Sequence, residues 1–386
     1  MNERDERMDA GAVDAEREGI AWLTLKRIPD LGNRSLLKLV KALGSPTAVL
    51  DADERRLGAV PGLRTESRLA LRRGGRPQAA RQEWQLLRER GIRLISILDE
   101  GYPANLKEIR DPPAVLFCLG TLEPRDLVAV AVVGSRAASP GGMHFTERLC
   151  QDLASCGVTV VSGFAVGIDG AAHRGALRAG GRTIAVLGCG IDFPYPRPHE
   201  SLRSEIAGSG ALLSEFLLGT PPAPGHFPQR NRIISGLSLG VVVVEAAQRS
   251  GSLITARFAL EQGREVFAVP GMARHFRSVG PHGLLKQGAK LVESAEDILE
   301  EIRPLLKTPP AHRSVPATPA LDGAAATGLS GEEASIVDML GSSPVHIDEI
   351  ARGTGLAASR LSALLVGLEL RGVVRQSAGK YFVLVT

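Results

Sequence analysis

Residues 91–302 alternate short apolar runs with stretches of helical spacing, and no other feature of the chain restricts its fold as strongly. The apolar runs lie at residues 94–98, 128–133, 158–161, 183–187, 211–213, 241–244, 266–269 and 289–292. Near-continuous runs of Val, Ile and Leu are typical of strands buried on both faces, and intervening helices let neighbouring strands run parallel. The pattern predicts an α/β domain with a mostly parallel sheet and helices on both faces. Ligands of such sheets bind beyond the carboxyl ends of the strands, so the residues after each run are the first candidates for a site.

The rest of the chain divides by composition into four segments. Residues 1–15 are strongly charged and predict a disordered tail, and residues 16–90 predict a module of short helices. Residues 303–328 are rich in Pro and Ala, which is typical of an extended, mobile linker. Residues 329–386 contain three helical patterns followed by two short apolar runs around a turn, which predicts a winged-helix domain.

Two proline-containing turns, at residues 28–32 and 60–63, separate helices of the N-terminal module. Turns of this kind occur in helix-hairpin-helix units, where backbone amides at the start of a helix can contact phosphate. The same turns also suit a module that serves only for packing, because the glycine pattern is irregular. The sequence therefore predicts a SAM-like or helix-hairpin-helix-like module and leaves its ligand open.

The winged-helix segment has almost no excess charge: from Leu329 onward, five basic and six acidic residues give a net charge of −1. A helix that reads bases in the major groove usually carries polar and basic side chains, and the third helical pattern offers mainly Arg360 and Arg371. We therefore expect this domain to contact protein or to regulate, rather than to read a DNA sequence.

The whole chain of 386 residues carries 46 Lys and Arg against 42 Asp and Glu, an excess that permits nucleic-acid binding without establishing it. Its four cysteines form no CxxC pair and are expected to be reduced core residues. The sequence has no apolar run of about 18 to 20 residues that could span a bilayer, and its charged start lacks a signal-peptide core. These features predict a cytoplasmic protein without a membrane span.

The first candidate site follows the run at 128–133 and consists of Gly134, Ser135 and Arg136. Glycine lets a bound group approach the backbone, Ser135 can donate a hydrogen bond, and Arg136 can pair with a phosphate. A structural turn with a solvated arginine would have the same sequence. The motif is too short for a dinucleotide fingerprint, and no acidic residue can be assigned to a ribose, so no cofactor is expected.

The second candidate site spans residues 162–173. Gly163 and Gly167 allow a loop to approach phosphate, and the helix start behind it favours an anion. Asp169 and His173 are four residues apart on one helical face, and a helix cap with a packed histidine explains them better than a metal or catalytic pair. No further ligands stand at plausible spacing, so no metal is expected. No nucleophile and base are convincingly paired, so no catalytic residue is assigned.

The third candidate site combines two proline-containing loops, at residues 192–197 and 227–232, that carry aromatic and cationic side chains. Aromatic rings can stack on unpaired bases while arginines bind phosphates, a combination that suits single strands better than duplex. The alternative is that Phe193, Tyr195 and Phe227 only cover the core.

Taken together, these motifs resemble those of the DNA-processing protein DprA family, also called Smf. The matching segments are residues 134–136, 162–173, 183–188, 213–215, 227–238, 244–246, 250–255 and 264–271. The resemblance implies an extended Rossmann fold that binds single-stranded DNA and has neither catalytic activity nor a cofactor. It further implies a role in natural transformation, in which the protein protects incoming strands and loads RecA recombinase onto strands coated by single-strand-binding protein. Homodimerisation through the Rossmann domain is also implied.

Carried over by motif position, Arg136 and Arg197 would contact phosphate, although many relatives are expected to have lysine where this chain has Arg197. Arg230 and Arg232 would add to the same positive pocket. The predicted DNA-binding residues are Ser135, Arg136, Gly163, Phe164, Arg197, Arg230, Asn231 and Arg232.

Two other functional classes remain as alternatives. Rossmann enzymes that hydrolyse nucleotide N-glycosidic bonds use a PGGxGTxxE loop, whereas the comparable turn here, from Glu245 to Ser252, lacks that arrangement. A winged-helix transcription regulator with a nucleotide-sensing domain would instead prefer a defined duplex over a single strand.

Overall fold

The computed structural model describes residues 3–306, 331–340, 345–377 and 380–384. They form a helical module, an α/β domain with a nine-stranded sheet, and a three-helix domain with a three-stranded sheet. Most of the expected linker, from residue 307 onward, lies outside the described residues. No helix among the described residues is both long and apolar enough to cross a membrane.

The N-terminal module contains six helices around a core that includes Trp22, Leu25, Leu36 and Leu39. The helices are α1 Glu3–Lys26, α2 Asn33–Leu43, α3 Pro46–Leu50, α4 Glu54–Gly58, α5 Thr65–Arg73 and α6 Pro77–Glu89. The expectation of a disordered tail over residues 1–15 is wrong from residue 3 onward, because α1 begins there. Residues 3–18 contain many Glu, Arg and Ala and no proline, so nothing in them interrupts a helix that continues into the apolar segment from Ile20.

The α/β domain follows the predicted alternation. Its strands are β1 Arg93–Ser96, β2 Val115–Gly120, β3 Ala129–Val133, β4 Thr159–Ser162, β5 Thr183–Leu187, β6 Ala211–Ser214, β7 Gly240–Val243, β8 Glu265–Ala268 and β9 Lys290–Leu291. Its helices are α7 Ala104–Lys107, α8 Pro140–Ser155, α9 Ile168–Arg178, α10 Glu200–Ser209, α11 His226–Leu237, α12 Gly251–Glu261, α13 Val279–Lys286 and α14 Ala295–Leu306. Helix α14 extends past the expected domain boundary at residue 302, and Pro304 lies inside its last turn.

The strand order is β1-β2-β6-β5-β4-β3-β7-β8-β9. The seven strands from β6 to β9 are parallel, which confirms the predicted fold class. Strand β2 is an unpredicted addition that runs antiparallel between β1 and β6. Strand β3 pairs with β4 on one side and β7 on the other, so the chain changes direction across the sheet at β3. Open α/β sheets bind their ligands at such a switch point.

Two apolar layers cover the parallel sheet. Helices α8, α9 and α14 pack on one face through residues such as Leu153, Ala172 and Ile298. Helices α7, α11 and α12 pack on the other, where Ile233 and Ile234 of α11 are buried. Helix α11 therefore lies across the sheet, and its start reaches the carboxyl ends of the strands.

Polar contacts join the helical module to the α/β domain. The side-chain amide of Asn33 donates to Asp111 Oδ1 (2.9 Å) and to the carbonyl of Pro112 (2.8 Å), and its oxygen accepts from the Ala114 amide (2.9 Å). The Glu83 carboxylate accepts from Arg27 within its own module and from the Leu218 amide across the boundary. These contacts fix the start of α2 against the α/β domain.

The C-terminal domain has the predicted winged-helix layout of three helices and a hairpin. Its elements are α15 Gly331–Met339, β10 Val345–His346, α16 Ile347–Thr354, α17 Ala358–Leu370, β11 Val374–Ser377 and β12 Tyr381–Leu384. Strand β10 also pairs with β12. Arg360 and Arg371 form ion pairs with Glu332 and Glu333 of α15, and Val366 of α17 packs into the apolar layer that contains α8.

Candidate nucleic-acid interface

The turn after β3 carries Arg136 out to solvent on a fixed backbone. The carbonyl of Ser135 accepts a hydrogen bond from the Ile168 amide at the start of α9 (3.2 Å). A Cβ on Gly134 would lie 2.6 Å from Ile168 Cγ1, so only glycine lets the turn pack this closely. Ser135 is half-buried, whereas Arg136 is exposed. The backbone of this turn is thus held in place while the guanidinium remains available to a ligand.

One aromatic ring lies beside Arg136, and a second ring lies beside the first. The Arg136 guanidinium carbon is 4.7 Å from the centroid of the Phe227 ring, and the Tyr195 ring is 6.0 Å from the Phe227 ring. Phe227 also packs against Gly188, where a Cβ would lie 2.8 Å from its ring. The loop at residues 192–197 and the segment at residues 227–232, which are distant in sequence, therefore meet as predicted. The second segment is not the expected loop, because it forms the first turns of α11. Arg197, in a short 3-10 turn of the first loop, is exposed.

Arg230 lies behind this surface rather than on it. It is 4% exposed, and its Nη1 donates to the carbonyl of Val186 (2.5 Å). A Cβ on Gly163 would collide with the Arg230 guanidinium and would lie 2.7 Å from Asp169 Oδ2, so these three residues pack against one another. Within the described part of the chain, Arg230 Nε has no hydrogen-bond partner.

Burial shifts the titration of both charged groups in this layer. It lowers the pKa of Arg230 to about 10, an effect that the Asp169 carboxylate partly offsets. It also raises the pKa of Asp169, against the opposing influence of Arg230 and of a hydrogen bond from the Ala165 amide. Arg230 is therefore a cation at neutral pH that contributes positive potential from beneath the surface.

Asn231 connects this layer to the start of α12. Its side-chain amide donates to the carbonyl of Gly251 (3.1 Å), next to Ser250, which caps the helix. Asn231 is 8% exposed, so its main contacts are within the protein. Ser250 and Ser252 hydroxyls lie 2.7 Å apart at the same helix start.

Only the backbone of Phe164 is available at the site, because its ring is buried. Its ring is 2% exposed and packs against His173 and His199, with ring centroids 5.9 and 5.3 Å away. Its backbone has a φ of 59°, in the left-handed region, directly after Gly163. A base therefore cannot stack on this ring, and the predicted DNA contact of Phe164 is confined to the backbone.

The expectation that Arg232 shares a pocket with Arg230 is corrected by the structure. The Arg232 guanidinium makes two hydrogen bonds of 2.8 Å to the Glu215 carboxylate and lies 3.5 Å from Asp111. Burial lowers its pKa, but the combined influence of Glu215, Asp111 and Tyr102 leaves the pKa raised. Positions 230 and 232 are about 200° apart around a helix, so the two side chains leave α11 on opposite sides.

The pair Asp169 and His173 is structural. Helix α9 has Gly167, not Asp169, at its N-cap, and the Asp169 carboxylate accepts from the Ala165 amide instead. His173 Nδ1 lies 2.7 Å from the Thr183 hydroxyl, and burial lowers the pKa of His173 to about 3. Among the residues that the structure describes, no cluster of three or more His, Cys, Asp or Glu is arranged to hold a metal ion.

Sequence reasoning missed the contact between Ser139 and Glu245 at the ends of the central strands. The Glu245 carboxylate accepts from the Ser139 amide (2.9 Å) and hydroxyl (2.5 Å), and Arg277 lies 3.8 Å away. A Cβ on Gly142 would lie 2.6 Å from Glu245 Oε1. The carboxylate thus fixes the start of α8. Ser139 is separated from Glu245 by 106 positions, and no local pattern connects them.

Comparison with known proteins places the chain in a family. The family model for DNA recombination-mediator protein A matches residues 93–303, and the DprA winged-helix model matches residues 316–380. Protein Smf of Escherichia coli is 53% identical over 211 residues, which are 54% of this chain and 56% of that protein. Protein Smf of a Synechocystis species is 33% identical over 398 residues, covering 95% of this chain and 98% of that protein. The X-ray structure of DNA processing protein A from Streptococcus pneumoniae, with 40% identity, covers 72% of this chain and 95% of its own, with a TM-score of 0.65.

Proposed function

The chain belongs to the DNA recombination-mediator protein A family, and on that premise we propose that it binds single-stranded DNA and acts in DNA processing for recombination and natural transformation. The observation that carries the proposal is the position of Arg136 over the Phe227 ring, with Tyr195 beside it and Arg197 exposed nearby. Phosphates bind to the cations, and the half-buried rings of Phe227 and Tyr195 lie close enough for unpaired bases to contact them. Both features lie at the carboxyl ends of the strands around β3.

In this proposal the predicted residues have different roles. Arg136, Arg197 and Ser135 contact the strand directly, and the backbone at Gly163 and Phe164 lies along it. Arg230 and Asn231 support the surface from within, because both are almost fully buried. Since the direct contacts go to phosphates and to base faces, binding is independent of base sequence.

We propose no catalytic step at this site. The turn that carries the catalytic Glu in N-glycosidic hydrolases corresponds here to residues 245–252, which lack the PGGxGTxxE arrangement. Its one carboxylate, that of Glu245, is occupied by the amide and hydroxyl of Ser139. Incubation with nucleoside monophosphates should release no free base.

We also propose that the protein works as a homodimer in the cytoplasm and passes its strand from single-strand-binding protein to RecA. The roles of RecA and single-strand-binding protein rest on family membership. A surface suited to a second copy lies at the β9 edge of the sheet, where Leu291 is 47% exposed. In the loop between β8 and α13, Met272 and Phe276 are 78% and 58% exposed. Exposed apolar side chains at a sheet edge favour pairing with another chain.

The test of the proposed function is a binding titration with fluorescent oligothymidylate and with a duplex of equal length, followed by RecA assembly on strands coated with single-strand-binding protein. We expect tighter binding of the single strand, affinity that falls steeply with salt, and faster RecA assembly in the presence of the protein. Preference for the duplex, or affinity independent of salt, contradicts the proposal.

A further inference from the structure

A cleft of about 1310 Å³ lies between the helical module and the α/β domain. Both sides of the cleft contribute cations. The basic residues that line it are Arg34, Lys38, Arg64, Arg73, Arg110 and Arg232. All of them except Arg232 are exposed, so their charges are available to a ligand.

Positive charge in the cleft is only partly compensated. Four acidic residues line it: Asp30, Glu66, Asp111 and Glu261. Asp111 is already shared between Arg34 (3.8 Å) and Arg232 (3.5 Å), and Glu261 lies 3.7 Å from Arg257 outside the lining. Across the described residues, no carboxylate lies within ion-pair distance of Lys38, Arg64, Arg73 or Arg110. Four cations therefore remain against Asp30 and Glu66, which suits an anion with several charges.

The module side of the cleft is built from two similar turn–helix units. The first ends in α2 and the second in α5, and the two are joined by a hydrogen bond between the Ser35 and Ser67 hydroxyls (2.9 Å). Lys38 of the first unit also donates to the Gly62 carbonyl in the turn of the second (2.8 Å). Neither helix has a side-chain hydrogen bond at its N-cap. The pairing brings Lys38 and Arg64 to the same wall.

The other side of the cleft is formed by α11. This helix also carries Phe227, which contacts Arg136 at the surface described above, here called the first site. Phe227, Arg230 and Asn231 occupy one side of α11 at i, i+3 and i+4 spacing, toward Arg136. Gln229 and Arg232 lie three residues apart on another side and line the cleft. The first turn of α11 is thus the boundary between the two surfaces, and a strand that leaves the first has a short path to the second.

We propose that the cleft is a second binding segment for the phosphate backbone of single-stranded DNA, continuous with the first around the start of α11. The inference rests on the proposed function, because it extends the path of the same strand. The exposed cations bind phosphates without selecting bases.

The experiment compares the full-length protein with the double variant Arg64→Ala, Arg73→Ala. Both residues are exposed and lack an ion-pair partner among the described residues. The matched control is Arg55→Ala, Arg56→Ala, which removes two exposed arginines of α4 in the same module, outside the cleft. Anisotropy titrations use oligothymidylates of about 6 and about 16 nucleotides, since single-strand sites span about 4 to 16 nucleotides.

We expect the wild type to bind the longer strand with a steeper salt dependence than the shorter one. The Arg64→Ala, Arg73→Ala variant should lose about tenfold in affinity for the longer strand, with a salt slope reduced by about 0.7 for each lost contact. It should bind the shorter strand like the wild type, and Arg64→Lys, Arg73→Lys should restore most of the loss.

Equal effects of the cleft and control variants would overturn the inference, as would equal salt slopes for the two lengths. The inference would also be overturned if the Arg64→Ala, Arg73→Ala variant lost affinity for a duplex but bound the longer single strand like the wild type. That result would assign the cleft to duplex DNA. If the proposed function itself is wrong, the result differs: the wild type binds neither oligothymidylate, and Arg136→Ala leaves the measured affinity unchanged. Thermal unfolding of each variant shows that the helical module remains folded.

Discussion

The guanidinium of Arg136 lies 4.7 Å from the centre of the Phe227 ring, although 91 positions separate the two residues in sequence. A guanidinium over an aromatic face is held there by about 0.5–1 kcal/mol at an exposed site. The contact orients Arg136 before a ligand arrives, and so reduces the side-chain entropy lost on binding. In the proposed function, the direct phosphate contact thus comes from an arginine that is already positioned by a ring.

Arg136→Ala should weaken binding of single strands about tenfold, to a similar degree for every base composition. The expected cause is loss of a phosphate contact, which should reduce the salt slope by about 0.7. Anisotropy titrations over a series of salt concentrations measure both quantities. Arg148→Ala, which removes an exposed arginine of α8, serves as the control. An equal loss in both variants would mean that only overall charge matters.

Arg232→Ala should destabilise the fold far more than Arg136→Ala. It leaves the Glu215 carboxylate, which is 3% exposed, without its main partner. Breaking a buried ion pair in this way costs about 3–5 kcal/mol, whereas a surface substitution usually changes stability by about 0.5 kcal/mol or less. Urea unfolding measures the difference. The double variant Arg232→Met, Glu215→Leu should recover most of the stability. Unchanged stability in Arg232→Ala would contradict a structural role.

Gly163→Ala should lower both stability and DNA affinity. The added methyl group would collide with the Arg230 guanidinium and crowd Asp169, and overpacking of this kind costs about 1–3 kcal/mol. Gly208→Ala in α10 is the matched control, because no atom lies within 4 Å of its added Cβ. That variant should be neutral or slightly more stable. Denaturant unfolding and anisotropy report the two effects. Equal stability of the two variants would contradict the close packing of Gly163 and Arg230.

His173 should make the folded state sensitive to acid. Its pKa falls from 6.5 to about 3 on folding because burial disfavours the imidazolium. Between these values the unfolded chain binds more protons, so stability is greatest above pH 6.5 and falls toward pH 3. The slope approaches about 1.4 kcal/mol per pH unit. Burial raises the pKa of Asp169, which acts in the opposite sense, but this contribution is present in every variant with Asp169 intact.

The His173 contribution is isolated by comparing the wild type with His173→Gln. Urea unfolding across the range from pH 4 to pH 7 should give a smaller dependence on pH in the variant. Parallel curves for the two proteins would show that His173 is not buried as a neutral ring.

The winged-helix arginines should contribute little to binding of single strands. Arg360 lies 2.7 Å from Glu332, and Arg371 pairs with Glu333, so both charges are compensated on the domain itself. Anisotropy titration of the double variant Arg360→Ala, Arg371→Ala should give an affinity within about twofold of the wild type. The reason is that each arginine is exposed and already paired with a glutamate, so it adds little to the electrostatic attraction of DNA. A loss as large as that of Arg136→Ala would instead make this domain part of the DNA path.

Apolar periodicity predicted the parallel strands, because strands buried on both faces need Val, Ile and Leu at nearly every position. The switch point at β3 depends on the strand order, which periodicity does not reveal. Strand β2 was missed, since its run follows two prolines and pairs antiparallel, outside the alternation with helices. Helix α1 was missed over its first turns because a charged composition was taken for disorder, although the same residues are good helix formers.

The candidate site divides along similar lines. Local motifs identified Arg136 and the two aromatic segments, because glycine turns and clusters of proline, aromatic and cationic residues are properties of short segments. They did not show that the second segment begins a helix. They could not separate Arg230 from Arg232. That distinction depends on Glu215 and Asp111, which reach Arg232 only through the packing of α11 against other parts of the sheet. Partners brought together by tertiary structure carry no signal in a local pattern.

The three hydrogen bonds of Asn33 hold the helical module against the α/β domain without a flexible tether between them. If both proposed segments bind the strand, they act as a chelate on one frame. Once one segment holds the strand, the other meets it at a high effective concentration, and release requires both to open together. A strand could therefore stay bound for a long time even though each contact is weak. A competing protein that binds a free end of the strand would still displace it from one segment at a time.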